Sequence, residues 1–300
     1  MDKREAEKYI KAGKILAQVR DKAKKSIKTG EKLLDIAERI EQGITALDKS
    51  AKPAFPVNLS KNNYAAHYTP ASGDETLLEE GDVLKVDIGV HIDGYVADCA
   101  FTVDLSGGHA KMVEAAESAL ENAVSVAKPG AALSKIGAEI EKTITSYGFK
   151  PVQNLSGHTL EQYVQHAPPS IPNIETRDGR ALEDGTCIAI EPFATDGRGM
   201  IREGVQAEIF QIEDVVPVRS PYARQILEFI DAEYQTLPFA QRWLEKGLGL
   251  SEFALKVGLR ELIQRKCIRA FPILHEDEGK FVTQAETSLL LFEGKVTRML

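Results

Sequence analysis

Lys28-Thr29-Gly30-Glu31-Lys32-Leu33-Leu34-Asp35-Ile36-Ala37-Glu38-Arg39-Ile40-Glu41-Gln42-Gly43-Ile44-Thr45 has a counterpart one hundred positions later, Lys128-Pro129-Gly130-Ala131-Ala132-Leu133-Ser134-Lys135-Ile136-Gly137-Ala138-Glu139-Ile140-Glu141-Lys142-Thr143-Ile144-Thr145. Gly30 matches Gly130, Leu33 matches Leu133, and Ile36, Ile40, Glu41 and Ile44 find Ile136, Ile140, Glu141 and Ile144. The shared Leu and Ile positions recur every three or four residues, the spacing of one buried helix face. Each glycine falls where a preceding helix, residues 2–28 or 109–128, is expected to stop.

The match continues past the helices. Pro56-Val57-Asn58-Leu59-Ser60 resembles Pro151-Val152-Gln153-Asn154-Leu155-Ser156, and Glu80-Gly81-Asp82-Val83-Leu84-Lys85-Val86-Asp87 resembles Asp184-Gly185-Thr186-Cys187-Ile188-Ala189-Ile190-Glu191. The second pair is a turn followed by a strand that ends in a carboxylate. Amphipathic helices resemble one another by chance; helix, Asn-Leu-Ser turn and strand in the same order do not readily do so. The chain is therefore read as an internal duplication. Two halves facing each other across a pseudo-two-fold axis bring Asp87 and Glu191 towards one centre. The symmetry then breaks. In the first half the strand with Asp87 returns at once through His91-Ile92-Asp93-Gly94 into residues 95–105. In the second half the return is expected only at residues 283–292. Helical patterns at 225–234, 239–245 and 252–266 lie between, so residues 220–271 are expected to form an inserted helical subdomain on a body made of 1–219 and 272–300.

Composition narrows the function. The 300 residues carry a net charge of −8 and are 43% hydrophobic, which suits a chain with a sizeable core and argues against a general nucleic-acid binder that must displace counterions from phosphates. Cys99, Cys187 and Cys267 are widely spaced and odd in number, so no disulfide framework or thiolate zinc site is indicated. The sequence starts in charged helix without a signal-peptide pattern and has no apolar run of spanning length; a soluble cytoplasmic protein without membrane partners is expected.

The chemistry lies in the hairpins. Asp93-Gly94 is a two-residue turn signal that sets Ile92 opposite Tyr95 and Gly89 opposite Asp98. Asp87 and Asp98 then share a face, one diagonal step apart, close enough to hold the same ion. The plain alternative is two exposed acids at a sheet edge, yet aspartate is disfavoured in strands and like charges repel without a cation. Glu191 ends the apolar strand Cys187-Ile188-Ala189-Ile190, and Glu286 precedes Leu289-Leu290-Leu291; both are costly there unless paired or coordinated. His158, in Ser156-Gly157-His158, read alone is more often a hydrogen-bonded loop histidine than a ligand. Together, two Asp, two Glu and one His make an oxygen-rich set suited to a pair of divalent cations.

Pro53-Ala54-Phe55-Pro56-Val57-Asn58-Leu59-Ser60, Ala65-Ala66-His67-Tyr68-Thr69-Pro70, Lys85-Val86-Asp87-Ile88-Gly89, Ala97-Asp98, Asn154-Leu155-Ser156-Gly157-His158 and Ala189-Ile190-Glu191-Pro192-Phe193 resemble the type II methionine aminopeptidases, in their short archaeal form. The resemblance covers nearly the whole chain. It implies the α+β pita-bread fold, an internally duplicated curved antiparallel sheet backed by helices, with the helical insert as the mark of type II. It also implies two divalent metal ions (Co, Mn, Fe or Zn): Asp87 on one, Asp98 and Glu286 bridging, His158 and Glu191 on the second. His67 corresponds to the family's catalytic histidine, His166 to a contact with the substrate carbonyl, and Phe55 to part of the methionine pocket, though simple core packing explains Phe55 equally well. The implied reaction removes the initiator methionine from nascent proteins when the second residue is small, with Glu191 accepting a proton from the attacking water; action near the ribosome, as a monomer, goes with it. Where many relatives carry Gln-Phe-Glu-His-Thr, this chain has Gln284-Ala285-Glu286-Thr287-Ser288, so hydrogen bonding around Glu286 is expected to differ. No pocket residues are assigned between Ala194 and Phe210. A proline-specific peptidase of the same fold usually carries a large N-terminal domain, for which there is no room before Phe55. A non-catalytic binding relative would be expected to have lost ligands, and all five stand here. A scaffold protein docking through the helical insert is a third possibility, separated by whether the purified protein turns over peptides.

Overall fold

In the computed structural model, which describes residues 1–300, the two repeated segments are matching halves of one architecture. Helices α1 (Lys3–Ser26) and α2 (Leu33–Leu47) in the first half are answered by α3 (Ala110–Val126) and α4 (Leu133–Ser146) in the second. Leu33, Ile36, Ile40 and Ile44 are all buried, and so are Leu133, Ile136, Ile140 and Ile144. Each such side chain contributes about 1.5–3 kcal/mol on leaving water. The repeat extends to backbone bonds: Gly30 N donates to Leu78 O at 2.7 Å and Gly130 N to Leu182 O at 2.8 Å, while Leu33 N and Leu133 N reach Thr76 O and Arg180 O, both at 2.9 Å. The first and third helices end at Ser26 and Val126, short of the expected 28 and 128. Gly30 and Gly130 are thus not the helix stops; they sit in the turns that follow, at φ 86° and 83°.

Two antiparallel sheets form the inner layer. In the first, Val83–Ile92 pairs along one edge with Tyr95–Asp104 and along the other with Ala51–Pro53 and Asn58–Lys61. The second runs Lys295–Arg298, Thr287–Phe292, Thr186–Ile190, Ser156–Glu161, Val164–Pro172. Side chains alternate between faces. Leu84, Val86, Ile88, Val90 and Ile92 pack with residues of α1 and α2; Ile188, Ile190, Leu289 and Leu291 pack with α3 and α4. Asp87 and Gly89 therefore belong to the opposite, inner face. The hairpin register is the expected one, Ile92 opposite Tyr95 and Gly89 opposite Asp98, with Asp93 and Gly94 at φ 51° and 82° as a two-residue turn of this type requires.

The returning strand of the second half does come from far downstream, with Thr287 opposite Ile190. It is not the single strand 283–292 but two, Val282–Gln284 and Thr287–Phe292. Between them Ala285 N bonds Pro192 O at 3.2 Å and Glu286 N bonds Ala100 O at 2.9 Å, so the break ties Glu286 to the strand of Asp98. The matching strand breaks too, after Ile190, and Phe193–Thr195 resumes beyond Glu191-Pro192.

Helices α5 (Pro221–Glu233), α6 (Gln241–Leu248) and α7 (Glu252–Gln264) bury Ile226, Ile230, Leu244, Leu255, Leu259 and Leu262 against one another, together with Phe210 from outside the 220–271 segment. The first of them starts four residues before the expected 225, because Ser220 caps it and Pro221 occupies its first turn, where a proline needs no donor. Phe239–Ala240, expected as helix, pairs instead with Ile209–Ile212. No helix is long and apolar enough to cross a membrane.

Candidate metal centre

Asp87 and Asp98 leave the first sheet on its inner face, and His158, opposite Ala189 in the second, meets them. Glu191 and Glu286 come from the two strand breaks. One donor atom each from Asp98, His158 and Glu286 lies within 4.8 Å of the others. His158 Nε2 stands 3.9 Å from Asp98 Oδ2 and 3.8 Å from Glu191 Oε1, too far for hydrogen bonds. Phe55, His67, Asp87, Asp98, His158, His166, Glu191 and Glu286 all line one cavity of about 340 Å³, within the size range of small-ligand pockets. No residue singled out from the sequence lies elsewhere.

The electrostatics of the bare donor set are unfavourable. Burial and then the neighbouring carboxylates push Asp87, Glu191 and Glu286 well above the usual carboxylate range. Asp98 is raised to about 7 by burial, against hydrogen bonds from Gln165, the Cys99 amide and Asp87. Burial lowers His158 to about 4. Asp87 Oδ1, Asp98 Oδ1 and His158 Nδ1 are buried with no hydrogen-bond partner. Buried polar atoms are seldom left so. Four carboxylates and an imidazole lining one cavity, three of them with a buried atom left unpartnered, fit divalent cations, which reverse the preference for the neutral forms.

His67 stands beside this set rather than in it. Its backbone is left-handed, at φ 67°, an uncommon conformation for a side chain of this size. His67 N donates to Asn58 Oδ1 at 2.8 Å, and ring Nδ1 lies 3.2 Å from Pro272 O. Burial lowers its imidazole to about 4, opposed by that carbonyl. His166 is exposed at the cavity mouth, its ring 4.6 Å from that of His158 at 84°. Protein crowds it closely enough that desolvation, then His158, His67 and Arg269, hold it well below the usual range. Phe55 is 2% exposed and packs on Gly89, where a Cβ would stand 2.2 Å from the ring.

Several residues around the centre were not foreseen. Gln284 Nε2 approaches Glu191 Oε2 and Glu286 Oε2, both at 3.4 Å, and Gln165 Nε2 approaches Asp98 Oδ2 at 3.5 Å. Ser288 Oγ donates to Asp98 O at 2.8 Å and accepts from Asp98 N at 2.7 Å, locking the two halves together. Ile209 supplies part of the wall left unassigned between Ala194 and Phe210. Asn58 and Asn154 both line the cavity, and their recurrence in the two Asn-Leu-Ser turns was a signal that could have marked them.

The model of metallopeptidase family M24 matches residues 7–220. The chain is 47% identical to a methionine aminopeptidase of Archaeoglobus fulgidus over 297 residues, 99% of each protein. Among solved structures it is similar to a thermophilic Arx1 (TM-score 0.87, 18% identity, 100% of this chain and 91% of that one) and to the methionine aminopeptidase of Thermotoga maritima (TM-score 0.71, 21% identity, 100% and 97%). The fold is the duplicated pita-bread architecture of that family, and its cofactors are divalent metals. With its whole length matched at this level, the chain belongs to metallopeptidase family M24 and, within it, to the type II methionine aminopeptidases.

Proposed function

We propose that this chain removes the N-terminal methionine of newly made proteins by metal-assisted hydrolysis of the first peptide bond. The observation that carries this is the five-residue donor set, with unpartnered buried atoms on Asp87, Asp98 and His158, lining one cavity with His67. Full-length similarity to methionine aminopeptidases supports the choice of substrate over cleavage before proline.

Asp87 would hold one divalent ion, His158 and Glu191 a second, and Asp98 and Glu286 both. Mn, Fe, Co and Zn all suit this donor chemistry. Bound ions supply Lewis acidity and ease deprotonation of water. Glu191 takes the proton of the attacking water and returns it to the amide nitrogen, which leaves as the free amine when the C–N bond breaks. The Pro272 carbonyl fixes the His67 proton on Nδ1, leaving Nε2 with a lone pair for the N–H of the scissile amide. His166, at the mouth, donates to the substrate carbonyl oxygen, where negative charge develops. Phe55, with Phe193, Ile209 and Phe271 in the same cavity, offers an apolar surface to the methionine side chain. Residues 220–271 act as a separately packed subdomain on the body 1–219 and 272–300. The protein works as a monomer in the cytoplasm, close to the ribosome, where nascent N-termini become available.

The test is methionine release from Met-Ala-Ser by metal-stripped protein, with each metal titrated back. Turnover restored by a divalent ion, and at least tenfold slower on a Met-Leu peptide, is the expected result. Equal rates on the two peptides contradict a site closed to bulky second residues. Cleavage before proline irrespective of the first residue makes the chain an X-Pro peptidase instead.

A further inference from the structure

Arg242 is the largest fully buried side chain in the protein, and it comes from the helical insert rather than from the sheets around the metal centre. Its Nη1 donates to Thr69 Oγ1 at 2.9 Å and to Pro70 O at 3.3 Å, while Nη2 pairs with the Glu41 carboxylate of α2. Glu41 also accepts from Trp243 Nε1 at 3.0 Å and from Val57 N at 3.2 Å. Thr69 in turn donates to Val57 O at 2.9 Å, and Leu59 N bonds Tyr68 O at 2.7 Å. The loop from His67 to Pro70 is thereby pinned on one side to Val57, Asn58 and Leu59, and on the other to the insert.

Stability is a poor explanation for this arrangement. A buried ion pair gives up the hydration of both charges, and well-packed apolar residues often serve as well. Here the compensation is incomplete: Arg242 Nε has no partner, and burial raises Glu41 above its ordinary range despite the guanidinium beside it. The polar network ends two residues from His67, whose left-handed backbone persists only where its surroundings over-determine it. Arg242 does not line the cavity.

We propose that Arg242 is a positioning residue: through Thr69, Pro70 and Glu41 it holds the loop that presents the His67 imidazole to the reacting peptide. The inserted subdomain is thus tied to the chemistry of the sheets. This inference rests on the role given above to His67.

The experiment uses the metal-loaded protein and the pair Arg242→Met with Glu41→Gln, which leaves no uncompensated buried charge and keeps one acceptor oxygen, for Val57 N or for Trp243 Nε1 but not for both. Melting temperature and metal content should stay as in the wild type. The kcat on Met-Ala-Ser should fall about tenfold to a hundredfold, the scale of a misplaced reacting group, with KM changed less than about twofold. In a His67→Ala background the same pair should cause no further fall, because the group it positions is gone. Thr69→Val removes the acceptor with little change of shape; it should show the same loss and the same non-additivity, and it carries the test if the double variant does not fold. Arg242→Lys, which keeps the charge but not the fork, should retain an intermediate rate. Unchanged kcat in the folded pair and in Thr69→Val overturns the inference, as does an equal fall with or without His67. If His67→Ala itself leaves turnover intact, the role of His67 fails first. If His67 matters and the pair does not, only the role of Arg242 fails.

Discussion

Replacing Gly157 by Ala adds one methyl group to a residue that binds nothing, yet it should dismantle the metal centre. The new Cβ would stand 2.3 Å from Ala189 O, 3.2 Å from Ala189 C and 3.3 Å from Ile171 Cβ. A carbon–oxygen contact settles at about 3.3 Å, so the two strands must part by about 1 Å. The obstacle is a main-chain carbonyl and cannot rotate away. Both displaced strands carry donors: Gly157 precedes His158, which lies opposite Ala189, two residues before Glu191. Ligand distances in metal sites tolerate only about 0.2 Å. Overpacking of this kind typically costs about 1–3 kcal/mol, and a clash with backbone belongs at the upper end. Metal affinity should fall at least tenfold, the lower bound of about 10–100-fold seen when the support of a ligand is lost. The assay is metal content by mass spectrometry after dialysis against fixed free metal, alongside urea unfolding of the stripped protein. Gly43→Ala is the control: it lies in α2, nothing stands within 4 Å of its new methyl, and it should stabilise by roughly 0.5–1 kcal/mol without touching metal content. Wild-type metal affinity and turnover in Gly157→Ala would refute the reasoning.

Asp98→Asn and Glu286→Ala should each abolish turnover and lower bound metal, since both residues are assigned to two ions; a fully loaded, active variant of either would remove it from the donor set. His67→Ala should keep its metal while turnover drops by about 10²–10⁴, the usual contribution of a positioned acid–base group; loss of metal would make His67 a ligand, and unchanged turnover a loop residue. His91 gives the protein an acid-labile point away from the reaction. Its Nδ1 accepts from Gly94 N at 3.0 Å, and burial, then Lys52, hold its imidazole at about 4 instead of 6.5. A depressed folded value means stability fully present above pH 6.5 and lost as pH falls towards 4, amounting to about 2 kcal/mol by pH 5. In urea unfolding, His91→Gln should therefore lose about 2 kcal/mol less than the wild type between pH 7 and 5, and identical losses would contradict the assignment.

Local patterns carried most of what could be read before the structure. The Asp93-Gly94 turn set the register of one hairpin, and through it the approach of Asp87 to Asp98, because turn geometry and a period of two leave no freedom. The Leu and Ile spacing at 33–44 and 133–144 located the helix faces for the same reason. What escaped depends on partners distant in the chain. The break at Ala285-Glu286 exists because Pro192 O and Ala100 O take those two amides, and no nearby residue announces it. Arg242 reads as a surface charge on an amphipathic helix until Glu41 and Thr69 fold against it. Gly30 and Gly130 were legible as punctuation, but whether a glycine ends a helix or shapes the next turn was decided by the main-chain bonds to Leu78 and Leu182.

The division of the donor set between the halves governs when a chain under synthesis can become active. Asp87 and Asp98 are made first, His158 and Glu191 later, and Glu286 close to the end, in a break held by the pairing of Thr287–Phe292 with Thr186–Ile190. A polypeptide that stalls before residue 286 lacks one carboxylate and the strand that fixes it, even with both helical layers already folded. With Glu286 in the proposed donor set, prematurely terminated copies are expected to be inert towards the N-termini around them, so that the order of translation itself delays activity.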